Sequence, residues 1–170
     1  LSLAKDICKE GINIVSGGAY SCDILAHQGA LEAKNPKAST IAVFAGGLKN
    51  LYPKGNDFMF KRIFEQGGAL VSERLWHQEP RPYDFPIRNR IISGLCPLTL
   101  VMDASLKSGS LVTAQRALEQ GRDLMVFRSQ RQSYPSCGTQ LLMEEGALSF
   151  STSQQVLNCL NQNPTSSIYG

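Results

Sequence analysis

The 170-residue chain has no CxxC pair and no closely spaced Cys–His pair. Its five cysteines, Cys8, Cys22, Cys96, Cys137 and Cys159, are odd in number and widely scattered. Neither a zinc site nor a disulfide framework is expected, and the thiols read as reduced packing residues. No run is long and apolar enough for a membrane span. The longest uncharged stretch, Gly146–Gly170, is studded with Ser, Gln and Asn. The first ten residues carry Lys5, Asp6, Lys9 and Glu10, which does not suit a signal peptide. A cytoplasmic location follows as the expectation. An initiator methionine is also missing, so an excised piece of a longer chain is expected. Residues 132–170 contain no Lys or Arg and 2 acidic residues, a balance of −2.

What is present argues for a folded chain. Apolar residues make up 42% and charged residues 18%, which is not a disordered composition. The length suits one domain that buries a core without staples. The net charge of +3 is too small for an obvious polyanion binder, so any such role needs local focusing. The middle of the chain supplies it. Residues 74–131 hold 9 basic and 5 acidic residues, a balance of +4. Residues 1–73 hold 8 and 7, a balance of +1.

Helical and strand patterns alternate. The periodicity predicts helices over Leu1–Glu10, Cys22–Ala33, Asp57–Gln66, Ile87–Gly94 (with Pro86 at its first position), Ser110–Gln120, Gly138–Glu145 and Thr152–Asn161. Strands are expected over Ile12–Val15, Thr40–Phe44, Ala69–Val71, Leu98–Met102, Leu124–Phe127 and Ala147–Ser149. Arg74–Asp84 and Arg128–Ser136 read as loops, and residues 163–170 as a linker stump after a domain spanning 1–162. Such alternation means βαβ units and a mostly parallel sheet. Strands as apolar as TIAVF and LTLVM fit a sheet covered on both faces. The fold class is therefore α/β, a three-layer sandwich around a mostly parallel sheet.

In an open parallel sheet, ligands bind beyond the carboxyl ends of the strands. Three glycine-bearing or small-residue turns follow strands here. They are Ser16-Gly17-Gly18-Ala19-Tyr20, then Ala45-Gly46-Gly47-Leu48 running on to Tyr52-Pro53-Lys54, then Asp103 followed by Lys107-Ser108-Gly109-Ser110. Each can aim backbone N–H groups at an anion, and Lys54 and Lys107 can add full charges. No turn is a GxGxxG fingerprint or a GxxxxGK[ST] loop, so tight βα turns alone also explain the glycines. Phe85-Pro86-Ile87-Arg88-Asn89-Arg90 sets two arginines at a helix start, where they oppose the macrodipole. An anionic partner, or carboxylates such as Glu73 and Asp103, would account for them. Either arginine could equally be a structural ion pair. His27 reads as a packed or surface histidine. Trp76-His77 could stack on bases or pin its loop. Asp103 could meet a ligand hydroxyl, orient an arginine or cap a turn. No Ser–His–Asp set and no acid/base carboxylate pair is evident.

Taken together, VSGGAYSCDILAHQGAL (Val15–Leu31), TIAVFAGGLKNLYPKGN (Thr40–Asn56), GGALVSE (Gly67–Glu73), FPIRNRIISGL (Phe85–Leu95), LVMDASLKSGSLVTAQRALEQGRD (Leu100–Asp123) and GTQLLMEEGAL (Gly138–Leu148) resemble the Rossmann-like core of the DprA (Smf) family of DNA-processing proteins. The resemblance covers most of the chain in the family's order. It implies a non-enzymatic protein of natural transformation that needs no cofactor. Such a protein binds single-stranded DNA with little sequence preference and hands it to a RecA-type recombinase. The DNA pocket would involve Gly46, Gly47, Lys54, Arg88, Asn89, Arg90, Lys107, Ser108, Gly109 and Ser110. A homodimer would form through roughly Leu141–Leu160.

The chain also departs from the family pattern. It starts after the strand and Gly-Ser-Arg turn with which the family core begins. Arg128-Ser129 replaces the usual Pro-Gly, Gln140 the usual Asn and Asp103 the usual Glu, while GGAYSCD lacks the Arg favoured in the first turn. The alternative reading is a nucleotide-processing enzyme of the lysine-decarboxylase-like phosphoribohydrolase type. Those enzymes carry PGGxGTxxE, whereas the matching turn here, Lys107–Thr113, has no acid at that spacing. A scaffold that contacts only partner proteins is a third reading, for which Leu141, Leu142, Val156, Leu157 and Leu160 would form the interface.

Overall fold

The computed structural model describes residues 1–128 and 136–162. The chain divides into two compact units, Leu1–Ile92 and Ser93–Gly170. The first contains helix α1 (Ser2–Lys9), strand β1 (Ile14–Ser16), helix α2 (Cys22–Ala33), strand β2 (Thr40–Phe44), a 3-10 turn at Lys54–Asn56, helix α3 (Asp57–Glu65) and strand β3 (Ala69–Ser72). Helix α4 (Asp84–Gly94) closes it and reaches two residues into the second. The second unit continues with β4 (Leu98–Val101), α5 (Gly109–Glu119), β5 (Asp123–Phe127), α6 (Cys137–Glu144), β6 (Leu148–Phe150) and α7 (Ser153–Gln162). The expected α/β class is observed, with every strand pairing parallel. The hydrogen-bonded ladder comes as two three-stranded sheets, β1-β2-β3 and β4-β5-β6.

In the first unit, β2 lies between β1 and β3, with Ile14 beside Thr40 and Ile41 beside Ala69. Its run TIAVF is almost wholly buried, as suits a central strand, and α2 and α3 pack against its Ala42 and Phe44. Ala42, Phe44, Leu31, Met59, Phe60 and Ile63 form the core cluster. The Phe44 and Phe60 rings meet edge to face at 4.8 Å. In the second unit, Val101, Ala104, Ala114, Leu124, Val126 and Leu142 play the same part.

Element boundaries mostly shift by a residue or two from those read in the sequence, while α2 and β2 coincide with it. One correction concerns α4. Pro86 is its third residue, not its first, because the helix begins at Asp84. A proline is tolerated there, since N–H groups in a first turn have no intrahelical acceptor. Asp84 is buried and anchors the preceding loop. Its Oδ2 accepts the Arg81 amide at 2.8 Å, and Arg74 Nη2 lies 2.5 Å from its Oδ1. Most of the expected Arg128–Ser136 loop, and the linker stump at 163–170, lie outside the described residues.

Candidate nucleic-acid interface

Two of the three turns belong to the first unit, at the carboxyl ends of β1 and β2. Together with α4 they surround a small, open pocket of about 100 Å³. Gly18, Ala19 and Tyr20 line it from the first turn, Gly46, Gly47, Asn50 and Tyr52 from the second, and Phe85 and Arg88 from α4.

Arg88 is the buried arginine of the pair, 7% exposed. Its Nη1 donates to the Val43 carbonyl at the end of β2, and its Nε donates to Asn89 Oδ1 at 3.2 Å. Burial lowers its affinity for the proton, and nearby Asp23 partly restores it. A guanidinium in protein stays charged, so a fixed cation lines the pocket. Asn89, itself buried, thus orients Arg88. Arg90 points elsewhere, half exposed and ion-paired with Glu73. Of the two explanations offered for these arginines, the structural ion pair describes Arg90.

The glycines in the two turns have different reasons. A Cβ on Gly47 would stand 2.0 Å from the Leu75 carbonyl oxygen and 2.5 Å from that of Trp76, and one on Gly46 would strike Pro80 at 2.7 Å. The loop between β3 and α4 crosses directly over them. The Gly47 amide donates to Gln78 O at 2.7 Å, and the Lys49 amide to Trp76 O at 3.0 Å. Gly47 therefore spends its N–H on the loop and does not offer it to an anion. The Trp76 carbonyl helps pin the loop, while its ring is exposed. At the first turn, a Cβ on Gly17 would meet Asp23 Oδ2 at 2.7 Å and Arg88 Nη1 at 2.9 Å, so glycine there lets two charged side chains close in. Asp23 caps the turn, accepting from Ser16 Oγ at 2.8 Å and the Ala19 amide at 3.0 Å.

Sequence reasoning missed the pocket's aromatic walls. Tyr20 and Tyr52 are more than half exposed, and Tyr52 meets Phe85 edge to face at 5.9 Å. Their signal was an aromatic next to each glycine turn or prolyl residue. Lys54 is exposed on its 3-10 turn. Of the packed and surface alternatives for His27, the structure has the packed one, fully buried under the first turn.

In the second unit, Ser108 occupies the N-cap position of α5 with no side-chain capping bond, and Gly109 and Ser110 open the helix. Lys107 beside them is exposed. The first turn of α5 has no acidic residue. Asp103 serves α6. Ser136 Oγ donates to its carboxylate, and Thr139 Oγ1 lies 3.4 Å from it. Among the described residues no cluster of His, Cys, Asp or Glu could hold a metal, and no helix is long and apolar enough to cross a membrane.

Fold and site thus define a parallel α/β protein with a cationic, aromatic-walled pocket at its strand ends. Comparison with known proteins places it further. Residues 1–161 match the family of DNA recombination-mediator protein A, and the chain belongs to that family. It is 40% identical over 156 residues to protein Smf of Escherichia coli, covering 92% of this chain and 41% of that protein. It is 39% identical over 149 residues to DNA processing protein DprA of Bacillus subtilis, covering 85% and 48%. The chain therefore spans about half or less of these relatives' length. Among solved structures, DprA of Streptococcus pneumoniae matches with a TM-score of 0.78 and 36% identity, over 92% of this chain and 55% of that one. DNA processing protein A of Helicobacter pylori, reported for its single-stranded DNA binding mode, matches with a TM-score of 0.82 and 32% identity, over 94% and 71%.

Proposed function

We propose that this chain is the single-stranded-DNA-binding core of a recombination mediator. The observation that carries the reading is the buried, permanently charged Arg88 in a pocket walled by Tyr20, Tyr52 and Phe85. A cation for the phosphate beside aromatic faces for the base is the chemistry of sequence-tolerant single-strand binding. Family membership and the likeness to a DprA studied with single-stranded DNA support it. Gly46, Gly47 and Asn89 act as structural supports of the pocket, with Lys54 and Arg90 at the surface as weaker phosphate contacts. In the second unit, Lys107, Ser108, Gly109 and Ser110 form a second phosphate contact at the start of α5. The bound strand is then passed to a RecA-type recombinase by a homodimer formed through Leu141–Leu160, without catalysis or cofactor, in the cytoplasm. The test is binding of a labelled oligothymidine by Arg88→Ala plus Lys107→Ala. The double variant is expected to bind all sequences more weakly by the same factor. Wild-type affinity in the folded double variant would show that the pocket lies elsewhere.

A further inference from the structure

His27 lies on α2 beneath the first glycine turn, with no exposed surface. Its Nε2 is 2.7 Å from the Gly17 carbonyl oxygen, and its Nδ1 is 2.7 Å from Thr40 Oγ1. Thr40 Oγ1 in turn lies 2.8 Å from the Ile14 carbonyl oxygen. A carbonyl oxygen only accepts, so Nε2 must carry a proton for the Gly17 contact to be a hydrogen bond. The Gly18 carbonyl is tied as well, accepting from Asn56 Nδ2 at 3.0 Å. Both carbonyls of the turn are thereby held on donors within the protein. A carbonyl oxygen swung toward the pocket would present negative charge to a phosphate.

We propose that His27 is a positioning residue of the DNA pocket: its Nε2–H fixes the Gly17 carbonyl inward and so holds the turn against which Arg88 is seated. The role rests on the single-stranded DNA reading. The groups facing the ring are few. Asp23 lies one turn earlier on α2, Thr40 comes from β2, the Ile14 carbonyl from β1, and the Arg88 guanidinium from α4 reaches the far side of Gly17. Three contacts run from Gly17 through the ring and Thr40 to Ile14. A neutral ring and one hydroxyl supply two protons for them, and an imidazolium would supply the third. Burial opposes that charge and lowers the ring's pKa below the ordinary histidine value, with the Gly17 bond and Asp23 acting the other way. The working form is the neutral Nε2–H tautomer, its Nδ1 accepting the single Thr40 proton, which is then not given to Ile14.

The experiment combines nitrogen NMR of the ring with two variants. In wild type at neutral pH, the His27 nitrogens should give the widely split pair of a neutral ring with Nε2 protonated. His27→Leu keeps bulk without a donor, whereas His27→Gln retains an amide N–H that can reach Gly17. His27→Leu should bind oligothymidine roughly tenfold more weakly, the effect of one misplaced hydrogen-bonded group, and His27→Gln should recover most of it. Circular dichroism confirms that both variants are folded. Equal affinity of folded His27→Leu and wild type would overturn the role and leave the DNA reading standing. A protonated Nδ1 tautomer, or no rescue by His27→Gln while it is folded, would overturn it too. A wild-type chain that fails to bind the oligonucleotide would overturn the DNA reading itself, and this role with it.

Discussion

Gly17-Gly18 and Gly46-Gly47 follow neighbouring strands and look alike in sequence, yet they are glycine for different reasons. At the second pair, a passing backbone leaves no room for a Cβ and takes the Gly47 amide. At the first, the space beside Gly17 is filled by the ends of the Asp23 and Arg88 side chains, Gly18 faces the Phe44 and Phe60 rings, and the carbonyls are held by His27 and Asn56. One turn is a packing device that carries the loop. The other is a positioning device for charge. Glycine after a strand is therefore not by itself a sign of an anion cradle.

The difference breaks cleanly under substitution. Gly47→Ala should have the largest effect on the fold, since carbonyl oxygens at 2.0 and 2.5 Å cannot yield as a side-chain tip can. We expect about 3 kcal/mol of lost stability, read as a fall in denaturation midpoint. Gly17→Ala, opposed only by side-chain ends, should cost about 1 kcal/mol and act mainly on oligonucleotide affinity. Equal destabilisation by the two would erase the distinction.

Arg88 and Arg90 extend the comparison. Arg88→Ala should weaken DNA binding by about tenfold or more, the scale of a buried charge-assisted contact. Arg90→Ala should change it about twofold, as befits an exposed ion pair. Anisotropy titrations of the single variants decide this, and a reversed order would move the binding surface to the Glu73 side of α4.

A subtler effect is expected from pH. His27 has a folded-state pKa lowered by burial, while the unfolded chain protonates in the ordinary histidine range. As pH falls through that range, the unfolded chain takes up the proton first, so stability falls with it. Thermal melts should show this loss between neutral pH and about pH 5, and His27→Gln should flatten it. The smallest effect belongs to Lys54, whose removal should reduce the log–log salt slope of binding by about 0.7.

Much of this was readable in the sequence because it depends on local pattern. The apolar run of β2 and the periodicity of α2 located both elements as the structure has them. Two of the strand-end turns and Arg88 meet at the candidate pocket. What was not legible depends on distant partners. Residues two apart on a helix lie about 200° apart, so Arg88 and Arg90 had to part company. Which one turned inward is set by the Val43 carbonyl, 45 residues away. The fate of the Gly47 amide likewise depends on Gln78, and that of Asp103 on Ser136. The expectation that Pro86 begins its helix failed because buried Asp84, tied to Arg74 and Arg81, starts it earlier.

The most direct test of the account is fluorescence anisotropy of a labelled oligothymidine titrated with this chain at low and at moderate salt. The account predicts saturable binding that weakens with salt, differs little among sequences, and falls sharply in Arg88→Ala. Absence of binding at low salt, or binding indifferent to Arg88, would contradict it.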